Sequence, residues 1–496
     1  MTELIHQLVS TATEIAADRP AIIEDDGTAT TFAEFDAMVR ASAAWVAART
    51  RPGDRVAVVA DNGLDYARLY YAVPRAGRIL VLINQRLDAA EQQAQLDAVT
   101  PALILGDRKY LRELNGCAAV PFDDREWVDA PGAAPINLPA PDTDDPAWLL
   151  FTSGTTGVPK AVVHSHRSIL AAVRGTVSGR AVSPGGVYLL PFPMCHIAGY
   201  NMLVHHAVAS TVLPVATFRP ETFVAAVNAH AVTSCSLAPT MLHSLLDYLD
   251  DTGSDLPSLR DIAYGSSAIA AGLLRRALDR LDVGFHQGYG MTETGGNLAF
   301  LGPAEHRAGA AGDTAVLSTA GHPHDDVEIR IGSDGEILVR GAQVATRYWP
   351  DRPATENGWL HTGDIGRIDD AGRLVVSDRL KDIIITGGEN VSSREVEDVL
   401  SAHPEVNQVA VVGVPDEHWG EAICAVVVPR AGGRPTADEL IAHVRARLTA
   451  FKRPRHVLFV DTLPLTSNGK VAKQVLRQRV HATVSQKSSP VPPAPH

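Results

Sequence analysis

The sequence lacks the features that mark several specialised classes of protein. It contains only four scattered cysteines: Cys117, Cys195, Cys235 and Cys424. They show no CxxC or Cys/His spacing, so neither a disulfide framework nor a zinc site is expected, and a reducing cytoplasmic setting fits best. No run of lysine and arginine is long enough to follow a phosphate backbone, and the formal net charge is −13. Nucleic acid is therefore not expected as a partner.

Long hydrophobic runs are missing as well. No stretch approaches the roughly 20 apolar residues that a bilayer-spanning helix needs, so no integral membrane association is predicted. The N-terminal stretch is amphipathic, contains acids and shows no cleavage pattern, so no export is predicted. The composition, with 45% hydrophobic and 20% charged residues, is that of a globular protein, and 496 residues imply two or more domains.

The first part of the chain, residues 31–216, alternates helical and strand patterns. The clearest signals are two capping boxes and two buried strands: Thr31 with Glu34, Asp88 with Glu91, residues 55–60 and residues 102–105. This alternation predicts a large α/β domain of mainly parallel sheets flanked by helices. Short strands with turns at residues 333–335 and 370–372 follow over residues 328–376, which predicts a small antiparallel β subdomain.

A second domain is predicted to begin after residue 377. Residues 381–385 are expected to form a strand, and Ser392 with Glu395 is expected to cap a helix. Further strand and helix patterns complete an α+β unit: residues 406–414, 422–428, from 437 onward and 457–460. We therefore predict an N-terminal domain at 1–377, a connection at 378–381, a C-terminal α+β domain at 382–484 and a disordered tail at 485–496.

The strongest local signal follows the apolar strand at residues 148–151. It is a cluster of glycines, hydroxyls and one lysine: Thr152, Ser153, Gly154, Thr155, Thr156, Gly157, Val158, Pro159 and Lys160. Glycines let backbone N–H groups approach an anion, hydroxyls add donors and lysine adds charge, so the cluster predicts a phosphate cradle. It lacks the GxxxxGK[ST] spacing of a P-loop, which disfavours kinases and GTPases. Taken alone, the cluster is also compatible with a solvated loop.

Together with further segments in a fixed order, the cradle resembles one enzyme superfamily. These segments are residues 193–196 with Gly199, 288–293, 362–364, 378–390 and 464–470. They resemble the adenylate-forming superfamily of acyl-CoA synthetases, peptide-synthetase adenylation domains and luciferases. The resemblance covers almost the whole chain, so an accidental match of order and spacing is very improbable.

The resemblance implies an ATP site. The residues that it assigns to ATP or AMP are Thr152, Ser153, Gly154, Thr155, Thr156, Gly157, Lys160, Gly265, Ser266, Gly288, Tyr289, Gly290, Asp364 and Arg379. Tyr289 offers an aromatic face to adenine, while Asp364 can accept from both ribose hydroxyls and Arg379 adds a second contact to the sugar. Residues 265–268 contain one glycine, Gly265, where the family has two, which leaves the shape of the pocket open.

The resemblance also implies a set of catalytic groups. It assigns catalysis to Lys470, His196 and Thr292, and Mg²⁺ binding to Glu293. Adenylation gathers negative charge at the α-phosphorus, so a cation delivered by Lys470 suits that step. Thr292 can donate to the α-phosphate, and His196 would line the carboxylate entrance. Taken alone, each residue could instead have an ordinary structural role, such as that of a core histidine or a surface lysine. The nearby Lys473 is expected to be such a surface lysine.

The thiol-transfer step is assigned to the C-terminal domain. Gly387, Gly388 and Glu389 resemble the stretch through which pantetheine passes, and Lys381 resembles the hinge residue of a mobile domain. Coenzyme A is favoured as the acceptor because residues 416–421 are typical of CoA ligases. A carrier-protein phosphopantetheine would need the same tunnel, so an acyl carrier protein stays open as the alternative partner.

The function implied is an ATP-dependent carboxylic acid:CoA ligase that forms an acyl adenylate, releases pyrophosphate and then forms a thioester. No aspartate occurs in residues 197–203 to hold an ammonium group, which favours a plain acid over an amino acid. Four bulky side chains in or just after this stretch favour a short, medium or aromatic acid: Tyr200, Met202, His205 and His206. The alternatives are an acyl-AMP ligase that loads a carrier protein, and an inactive nucleotide-binding module. The last would require loss of Lys470, Glu293 or Asp364, and all three are present.

Overall fold

A computed structural model describes residues 2–130, 138–152, 160–265, 269, 271–313, 315–416, 418–465 and 471–487. The chain divides into two compact units. The first comprises Met1–Ser266, Leu278–Arg330 and Leu338–His361, and the second comprises Ser267–Ala277, Ile331–Ile337 and Thr362–His496. The domain boundaries inferred from the sequence, with a connection at 378–381, stay a prediction.

The described helices are α1 (Gln7–Ala16), α2 (Phe32–Ala47), α3 (Leu64–Arg75), α4 (Ala89–Val99), α5 (Arg108–Leu111), α6 (Arg125–Val128), α7 (His166–Gly179), α8 (Asn201–His206), α9 (Pro220–Ala229), α10 (Pro239–Thr252), α11 (Ala271–Arg280), α12 (Pro303–Ala310), α13 (Ser393–Ser401), α14 (Ala437–Arg445) and α15 (Lys473–Lys487). Within the described ranges, none of these helices is both long and apolar enough to cross a membrane. The predicted tail, 485–496, begins inside α15, and its residues 488–496 lie outside the described ones.

The described strands are β1 (Pro20–Ile23), β2 (Ala29–Thr31), β3 (Arg55–Val59), β4 (Ile79–Leu82), β5 (Leu103–Gly106), β6 (Ala118–Pro121), β7 (Pro146–Thr152), β8 (Lys160–Ser165), β9 (Val187–Leu190), β10 (Thr211–Pro214), β11 (Ser234–Leu237), β12 (Asp261–Gly265), β13 (Gly284–Met291), β14 (Gly296–Leu301), β15 (His322–Pro323), β16 (Val327–Ile331), β17 (Glu336–Gly341), β18 (Arg347–Tyr348), β19 (Arg352–Pro353), β20 (Leu360–Ile368), β21 (Leu374–Arg379), β22 (Ile384–Thr386), β23 (Glu389–Val391), β24 (Val406–Asp416), β25 (Gly420–Pro429) and β26 (His456–Phe459).

The first unit contains two large sheets. One has nine strands in the order β15-β14-β13-β12-β11-β9-β10-β1-β2, and the other has eight in the order β19-β18-β8-β7-β4-β3-β5-β6. The inner strands pair in parallel, for example β12 with β13 and β3 with both β4 and β5. The prediction of a large α/β domain with mainly parallel sheets is confirmed.

The inner strands of the eight-stranded sheet, such as β3, β4 and β5, are buried on both faces. In β3, Val56 and Val58 join the larger core, which also takes side chains from α2, α3 and α7, while Ala57 and Val59 join a smaller core on the opposite face. Such double burial explains the unbroken apolar run that identified the strand in the sequence. Each fully buried aliphatic side chain contributes about 1.5–3 kcal/mol relative to exposure.

The two predicted capping boxes are present. The Thr31 hydroxyl accepts from the Glu34 backbone N–H at 3.3 Å, and the Glu34 carboxylate accepts from the Thr31 N–H at 2.8 Å. Asp88 and Glu91 make the same reciprocal pair at the start of α4. A cap of this kind contributes about 1 kcal/mol, so these residues fix where α2 and α4 begin.

The small antiparallel subdomain is a four-stranded sheet in the order β16-β17-β20-β21. The predicted turns at residues 333–335 and 370–372 are present, with Gly335 and Gly372 at φ of +85° and +79°. A left-handed backbone of this kind favours glycine, which explains both positions.

The second unit contains a five-stranded sheet in the order β23-β22-β25-β24, with β26 parallel to β25. The predicted strands at 406–414, 422–428 and 457–460 and the helix capped by Ser392 are confirmed. The predicted strand at 381–385 is wrong in its first half, because Leu380–Asp382 forms a 3-10 turn and the strand begins at Ile384. The buried Asp382 carboxylate accepts from Arg477 at 2.7 Å, which holds the chain in this turn.

Candidate active site

The predicted phosphate cradle connects two paired strands of the first unit. Thr152 ends β7, Lys160 begins β8, and the two residues are Cα partners in the antiparallel register. The structure thus brings the two ends of the cradle together. The remaining cradle residues lie outside the described residues: Ser153, Gly154, Thr155, Thr156, Gly157, Val158 and Pro159.

The Gly-Tyr-Gly segment lies in β13, which pairs antiparallel with β14. A Cβ at Gly288 would lie 2.4 Å from Asn297 Nδ2, and one at Gly290 would lie 2.2 Å from the Gly296 carbonyl oxygen. Gly290 is therefore required by the close approach of the β14 backbone, whereas the group that a Cβ at Gly288 would meet is the Asn297 side chain. Tyr289 lies between them and is half-buried.

Gly265 lies beside this hairpin. It ends β12, is the Cα partner of Gly288, and a Cβ on it would lie 2.6 Å from the Gly288 carbonyl oxygen. The sequence analysis placed both glycines in the nucleotide site, and the structure makes them neighbours. Ser266 lies outside the described residues.

Thr292 follows β13 in a 3-10 turn, Thr292–Thr294, and a histidine fixes its backbone. His164 in β8 donates from Nε2 to the Thr292 carbonyl oxygen at 2.7 Å. Burial lowers the pKa of His164 to about 4, so the ring is neutral at pH 7. Because β8 begins at Lys160, this bond ties the cradle hairpin to the Thr292 turn. Sequence analysis missed His164, since it lies in an unbroken strand pattern outside every motif.

Glu293 is positioned by a tyrosine from a distant part of the chain. The Tyr348 hydroxyl donates to Glu293 Oε1 at 3.1 Å, and Tyr348 in β18 is the Cα partner of Val162 in β8. Burial, followed by the adjacent Glu293 charge, raises the pKa of Tyr348, so the hydroxyl keeps its proton. Sequence analysis missed Tyr348 because it belongs to no motif.

The surroundings of Glu293 fit a magnesium ion that is held mainly by phosphate oxygens. Across the ranges that the structure describes, no group of three or more His, Cys, Asp or Glu side chains has the arrangement of a metal site. Glu293 is half-buried, and the Tyr348 bond occupies one of its two oxygens. Mg²⁺ is commonly bound by one or two carboxylates plus substrate phosphates, so a single carboxylate suffices.

The His196 segment is anchored by residues from two other elements. The Asn62 side chain accepts from the Met194 N–H at 2.8 Å and donates to the Phe192 carbonyl oxygen at 2.8 Å. The buried Tyr70 hydroxyl in α3 donates to the Met194 carbonyl oxygen. These bonds fix the backbone that leads to His196, which caps a 3-10 turn, Ile197–Tyr200.

Tyr200 connects that turn to the Gly-Tyr-Gly hairpin. Its hydroxyl accepts from the Asn297 N–H at 3.2 Å and shares a hydrogen bond with Thr176 at 2.9 Å. Gly296 admits the ring, since a Cβ there would lie 2.6 Å from Tyr200 Cε2. The turn that follows His196 thus contacts β14, the strand that pairs with the predicted adenine segment in β13.

The other bulky side chains of this region belong to the core. Met202 and His206 are fully buried, and His206 donates to the Ala21 carbonyl oxygen at 3.0 Å while accepting from Tyr71 at 2.7 Å. His205 stacks on Tyr188 with ring centroids 3.9 Å apart. Their predicted effect on acid length stays a prediction.

In the second unit, Asp364 and Arg379 are cross-strand partners. They pair in the register of β20 and β21, and Arg379 Nε lies 3.3 Å from Asp364 Oδ1. Asp364 is buried and Arg379 is exposed. The structure thus joins the two predicted ribose contacts in one ion pair. The Thr362 hydroxyl also accepts from the Asp364 N–H at 3.1 Å, which fixes the backbone of that residue.

Lys381, the predicted hinge residue, lies two positions after Arg379. Burial, followed by the nearby Arg379 charge, lowers the pKa of Lys381. The preceding Asp378 is firmly held, because its Oδ2 accepts from the Ser392 and Ser393 hydroxyls at 2.9 Å each. Asp378 therefore attaches the end of β21 to the start of α13, on the N-terminal side of Lys381.

Gly387 and Gly388 form the two-residue turn of the β22–β23 hairpin, in which Thr386 pairs with Glu389. Their φ values are +61° and +83°, as a tight hairpin turn requires. A Cβ at Gly387 would lie 2.9 Å from Trp419, whereas Gly388 has no atom within 4 Å of that position. Turn geometry therefore explains both glycines, and their role in a thiol tunnel stays a prediction.

The predicted catalytic lysine, Lys470, lies outside the described residues. The interpretation of nearby Lys473 as an ordinary surface lysine is wrong. Its side chain is 18% exposed, pairs with Glu397 at 2.7 Å and donates to Ser393 at 2.7 Å. The sequence could not reveal this because Glu397 lies on another helix, α13.

Comparison with known proteins identifies the family of this arrangement. Residues 10–349 match the model of the AMP-binding enzyme family, and residues 395–470 match that of the AMP-binding enzyme C-terminal domain. A 3-[(3aS,4S,7aS)-7a-methyl-1,5-dioxo-octahydro-1H-inden-4-yl]propanoyl:CoA ligase of Mycobacterium tuberculosis is 36% identical over 491 residues, covering 93% of this chain and 96% of the relative.

Two further proteins show the range of the similarity. A fatty acid–[acyl-carrier-protein] ligase, ScoC, of Streptomyces coeruleorubidus is 33% identical, covering 89% of each chain. The structure of o-succinylbenzoate CoA synthetase from Bacillus subtilis, in complex with an acyl-adenylate intermediate, matches with a TM-score of 0.82 at 28% identity, covering 95% of this chain and 97% of that one. The chain therefore belongs to the AMP-binding enzyme family of adenylate-forming enzymes, and its relatives identify it as an acid–thiol ligase.

Proposed function

We propose that this protein is an ATP-dependent carboxylic acid:CoA ligase that forms an acyl adenylate with release of pyrophosphate and then a thioester with CoA. The proposal rests on one observation above all. The cradle hairpin and the Thr292-Glu293 turn, found as separate motifs in the sequence, are tied together by His164 and by Tyr348. Such an arrangement presents hydroxyls, a lysine and one carboxylate to a triphosphate.

The adenylation step needs charge to be gathered and then dispersed. The acid carboxylate attacks the α-phosphorus, the bond to the bridging oxygen breaks, and pyrophosphate leaves with the electron pair. Lys160 and Thr292 would contact phosphate oxygens, and Glu293 would hold Mg²⁺, which neutralises the leaving pyrophosphate. Because the backbone at Thr292 is fixed before ATP binds, little reorganisation is needed when the charge moves.

The acid is proposed to enter beside His196. The preceding backbone is held by Asn62 and Tyr70, and the following turn is held to the adenine hairpin through Tyr200. A carboxylate that lies against His196 would thus be close to the segment assigned to adenine. The absence of an aspartate in residues 197–203 supports a plain carboxylic acid as the substrate class.

The acceptor is proposed to be CoA. Its support is the similarity to CoA ligases and the exposed surface beside the Gly387-Gly388 turn. There Trp419 is 38% exposed, and the Arg455 guanidinium lies 4.0 Å from the centre of its ring. An aromatic face backed by a cation suits a ligand with an adenine ring and phosphates. Transfer to CoA would occur when its thiolate attacks the acyl carbonyl and AMP leaves.

The second candidate is an acyl-AMP ligase that loads a carrier protein, and the relative ScoC favours it. A catalytically inactive module is the third. Incubation with a panel of acids, ATP, Mg²⁺ and labelled pyrophosphate tests the first step, and addition of CoA or a holo carrier protein tests the second. We expect exchange with at least one acid class and a thioester with free CoA. A thioester formed only on the carrier would establish the second candidate, and no exchange with any acid would establish the third.

A further inference from the structure

A buried carboxylate, Glu336, lies beside the predicted ribose contacts but belongs to none of the motifs that carry the resemblance. It begins β17 and is only 7% exposed. β17 pairs with β20, the strand that contains Asp364, and β20 pairs in turn with β21, which ends at Arg379. Acidic side chains are rarely buried unless a partner holds them, so the position of Glu336 indicates a specific bonding role.

The Glu336 carboxylate holds the residue that precedes Asp364. Its Oε1 accepts from the Gly363 N–H at 2.8 Å. Gly363 has a φ of +70°, which departs from the extended backbone of a strand and favours glycine. A Cβ at Gly363 would have no atom within 4 Å, so the backbone angle rather than a lack of space explains this glycine. The bond from Gly363 to Glu336 therefore restrains a turn that has no packing at its Cβ position.

A threonine attaches the same turn to β17 a second time. The Thr362 hydroxyl donates to the Ile337 carbonyl oxygen at 2.7 Å and accepts from the Asp364 N–H at 3.1 Å. Glu336 and Ile337 are consecutive residues, so one short segment of β17 fixes the backbone on the N-terminal side of Asp364. The direction in which the Asp364 side chain leaves the backbone therefore depends on β17.

The other support of Asp364 is weaker. Arg379 Nε lies 3.3 Å from Asp364 Oδ1, but the Arg379 side chain is 49% exposed. An ion pair with an exposed arginine restrains its partner only slightly. A contact to two ribose hydroxyls needs both carboxylate oxygens at a hydrogen-bond distance of about 2.5–3.0 Å, so a small displacement of Asp364 lengthens both bonds at once.

We propose that Glu336 is a positioning residue for the nucleotide, which holds Asp364, through the Gly363 N–H, where its two oxygens accept from the 2′- and 3′-hydroxyls of the ribose. Glu336 itself does not touch the nucleotide. Its acceptor oxygen rather than its charge performs this role, because the partner is a backbone N–H. The inference rests on the proposed ligase function only in taking an adenine nucleotide as the ligand.

The test is calorimetric titration of the full chain with AMP and with 2′,3′-dideoxy-AMP, which lacks both hydroxyls. The wild type should bind AMP about tenfold more tightly or better, since hydrogen bonds to a charged group are lost with the analogue. Glu336→Asp keeps the charge but shortens the side chain, which withdraws the acceptor from Gly363. We expect it to reduce the preference for AMP about tenfold, with binding of the analogue unchanged.

Two further variants separate positioning from charge and from general stability. Glu336→Gln keeps an acceptor oxygen at the same length and should retain the preference for AMP. Glu328→Asp is the matched control, because Glu328 lies on β16 of the same sheet and pairs with Arg340 instead. It should leave both affinities unchanged. In the exchange assay, Glu336→Asp should raise the KM for ATP and leave the KM for the acid as in the wild type.

An unchanged preference in Glu336→Asp would overturn the inference while the nucleotide site stands, since a merely structural role would weaken both ligands alike. Equal losses of preference in Glu336→Asp and Glu336→Gln would also overturn it, because the charge would then be the cause. A wild type that binds neither AMP nor the analogue would refute the proposed ligase function as well. The titration requires no turnover, so these failures are distinct.

Discussion

The hairpin that leads into Thr292 and Glu293 and the hairpin that turns at Gly387 and Gly388 differ in how their shape is maintained. The first is held by side chains from distant elements, with His164 on the Thr292 carbonyl and Tyr348 on the Glu293 carboxylate. The second is exposed at its turn, and Gly388 has nothing near its Cβ position. Its shape depends on two left-handed glycines.

This difference illustrates two requirements of a functional site: groups held in fixed positions, and a backbone that leaves a passage open. Groups that stabilise charge must be fixed before the reaction, because each reorganisation subtracts from the stabilisation. A passage for a thiol needs only an unobstructed backbone, which a glycine turn provides. Substitutions in the first hairpin should therefore alter adenylation, and substitutions in the second should alter thiol transfer.

Lys470→Ala should have the largest effect. We expect pyrophosphate exchange to fall by about 10²-fold or more, since the proposed mechanism uses this lysine as the cation at the α-phosphorus, while CoA transfer from supplied acyl adenylate persists. Both half-reactions are measured on the same preparation. Equal losses in the two would assign Lys470 a shared or structural role.

Lys473→Ala is the matched control for Lys470. It leaves Glu397 without its ion partner, so unfolding should require about 2 kcal/mol less free energy, measured by denaturant titration. The rate of exchange in the folded enzyme should persist. A loss of exchange without a loss of stability would move Lys473 into the active site.

Lys381→Pro should have the reverse effect of Lys470→Ala, with a loss of CoA transfer rather than of pyrophosphate exchange. Proline fixes φ near −65°, so one orientation of the predicted mobile domain should be frozen if the other needs a different angle. Exchange should survive while transfer to CoA falls by about 10²-fold. Lys381→Ala removes the charge without restricting φ and should retain both steps. A folded Lys381→Pro enzyme with wild-type CoA transfer would refute a pivot at this residue.

Two substitutions, Glu293→Gln and Tyr348→Phe, should weaken the proposed binding of Mg²⁺ by Glu293 to different extents. The amide is a poorer ligand for a hard cation, so the Mg²⁺ concentration for half-maximal exchange should rise about tenfold. Tyr348→Phe keeps the carboxylate and removes one hydrogen bond to it, so the rise should be about threefold. Magnesium titrations of both variants measure this order. An unchanged requirement in Glu293→Gln would remove Glu293 from the metal site.

The smallest difference is expected between Gly387→Ala and Gly388→Ala. Both place a side chain at positive φ, but only the first meets Trp419, at 2.9 Å. CoA transfer should therefore fall a few-fold more in Gly387→Ala, with exchange unchanged in both. Equal transfer rates would show that the Trp419 contact is irrelevant to the thiol path.

The parts of the fold that follow local rules could be predicted from the sequence. The capping boxes, the buried strand at 55–59 and the C-terminal strands depend on residues a few positions apart. The start of β22 could not be predicted, because the turn before it depends on the bond from Arg477 to Asp382, 95 residues away in sequence.

In the candidate site, too, residues in local motifs could be predicted from the sequence, whereas residues that act from distant parts of the chain could not. Motifs predicted Thr292, Glu293, Asp364 and Arg379 as site residues, and the structure shows that the last two are direct partners. The residues that position the motifs were missed, since each acts over a long sequence separation: His164 on Thr292, Tyr348 on Glu293, and Asn62 and Tyr70 on Met194. A histidine in an apolar strand is typical of many cores, so no local pattern distinguishes His164.

The burial of neutral histidines such as His164 and His206 has a consequence for acid denaturation. Burial lowers the pKa of both to about 4, against 6.5 for an unperturbed histidine. Between these values the unfolded chain binds more protons than the folded chain, so stability falls as the pH drops from about 6.5 towards 4. Loss of activity in that range would then report cooperative unfolding rather than titration of a catalytic base. Circular dichroism recorded alongside a pH–rate profile would show the two curves falling together.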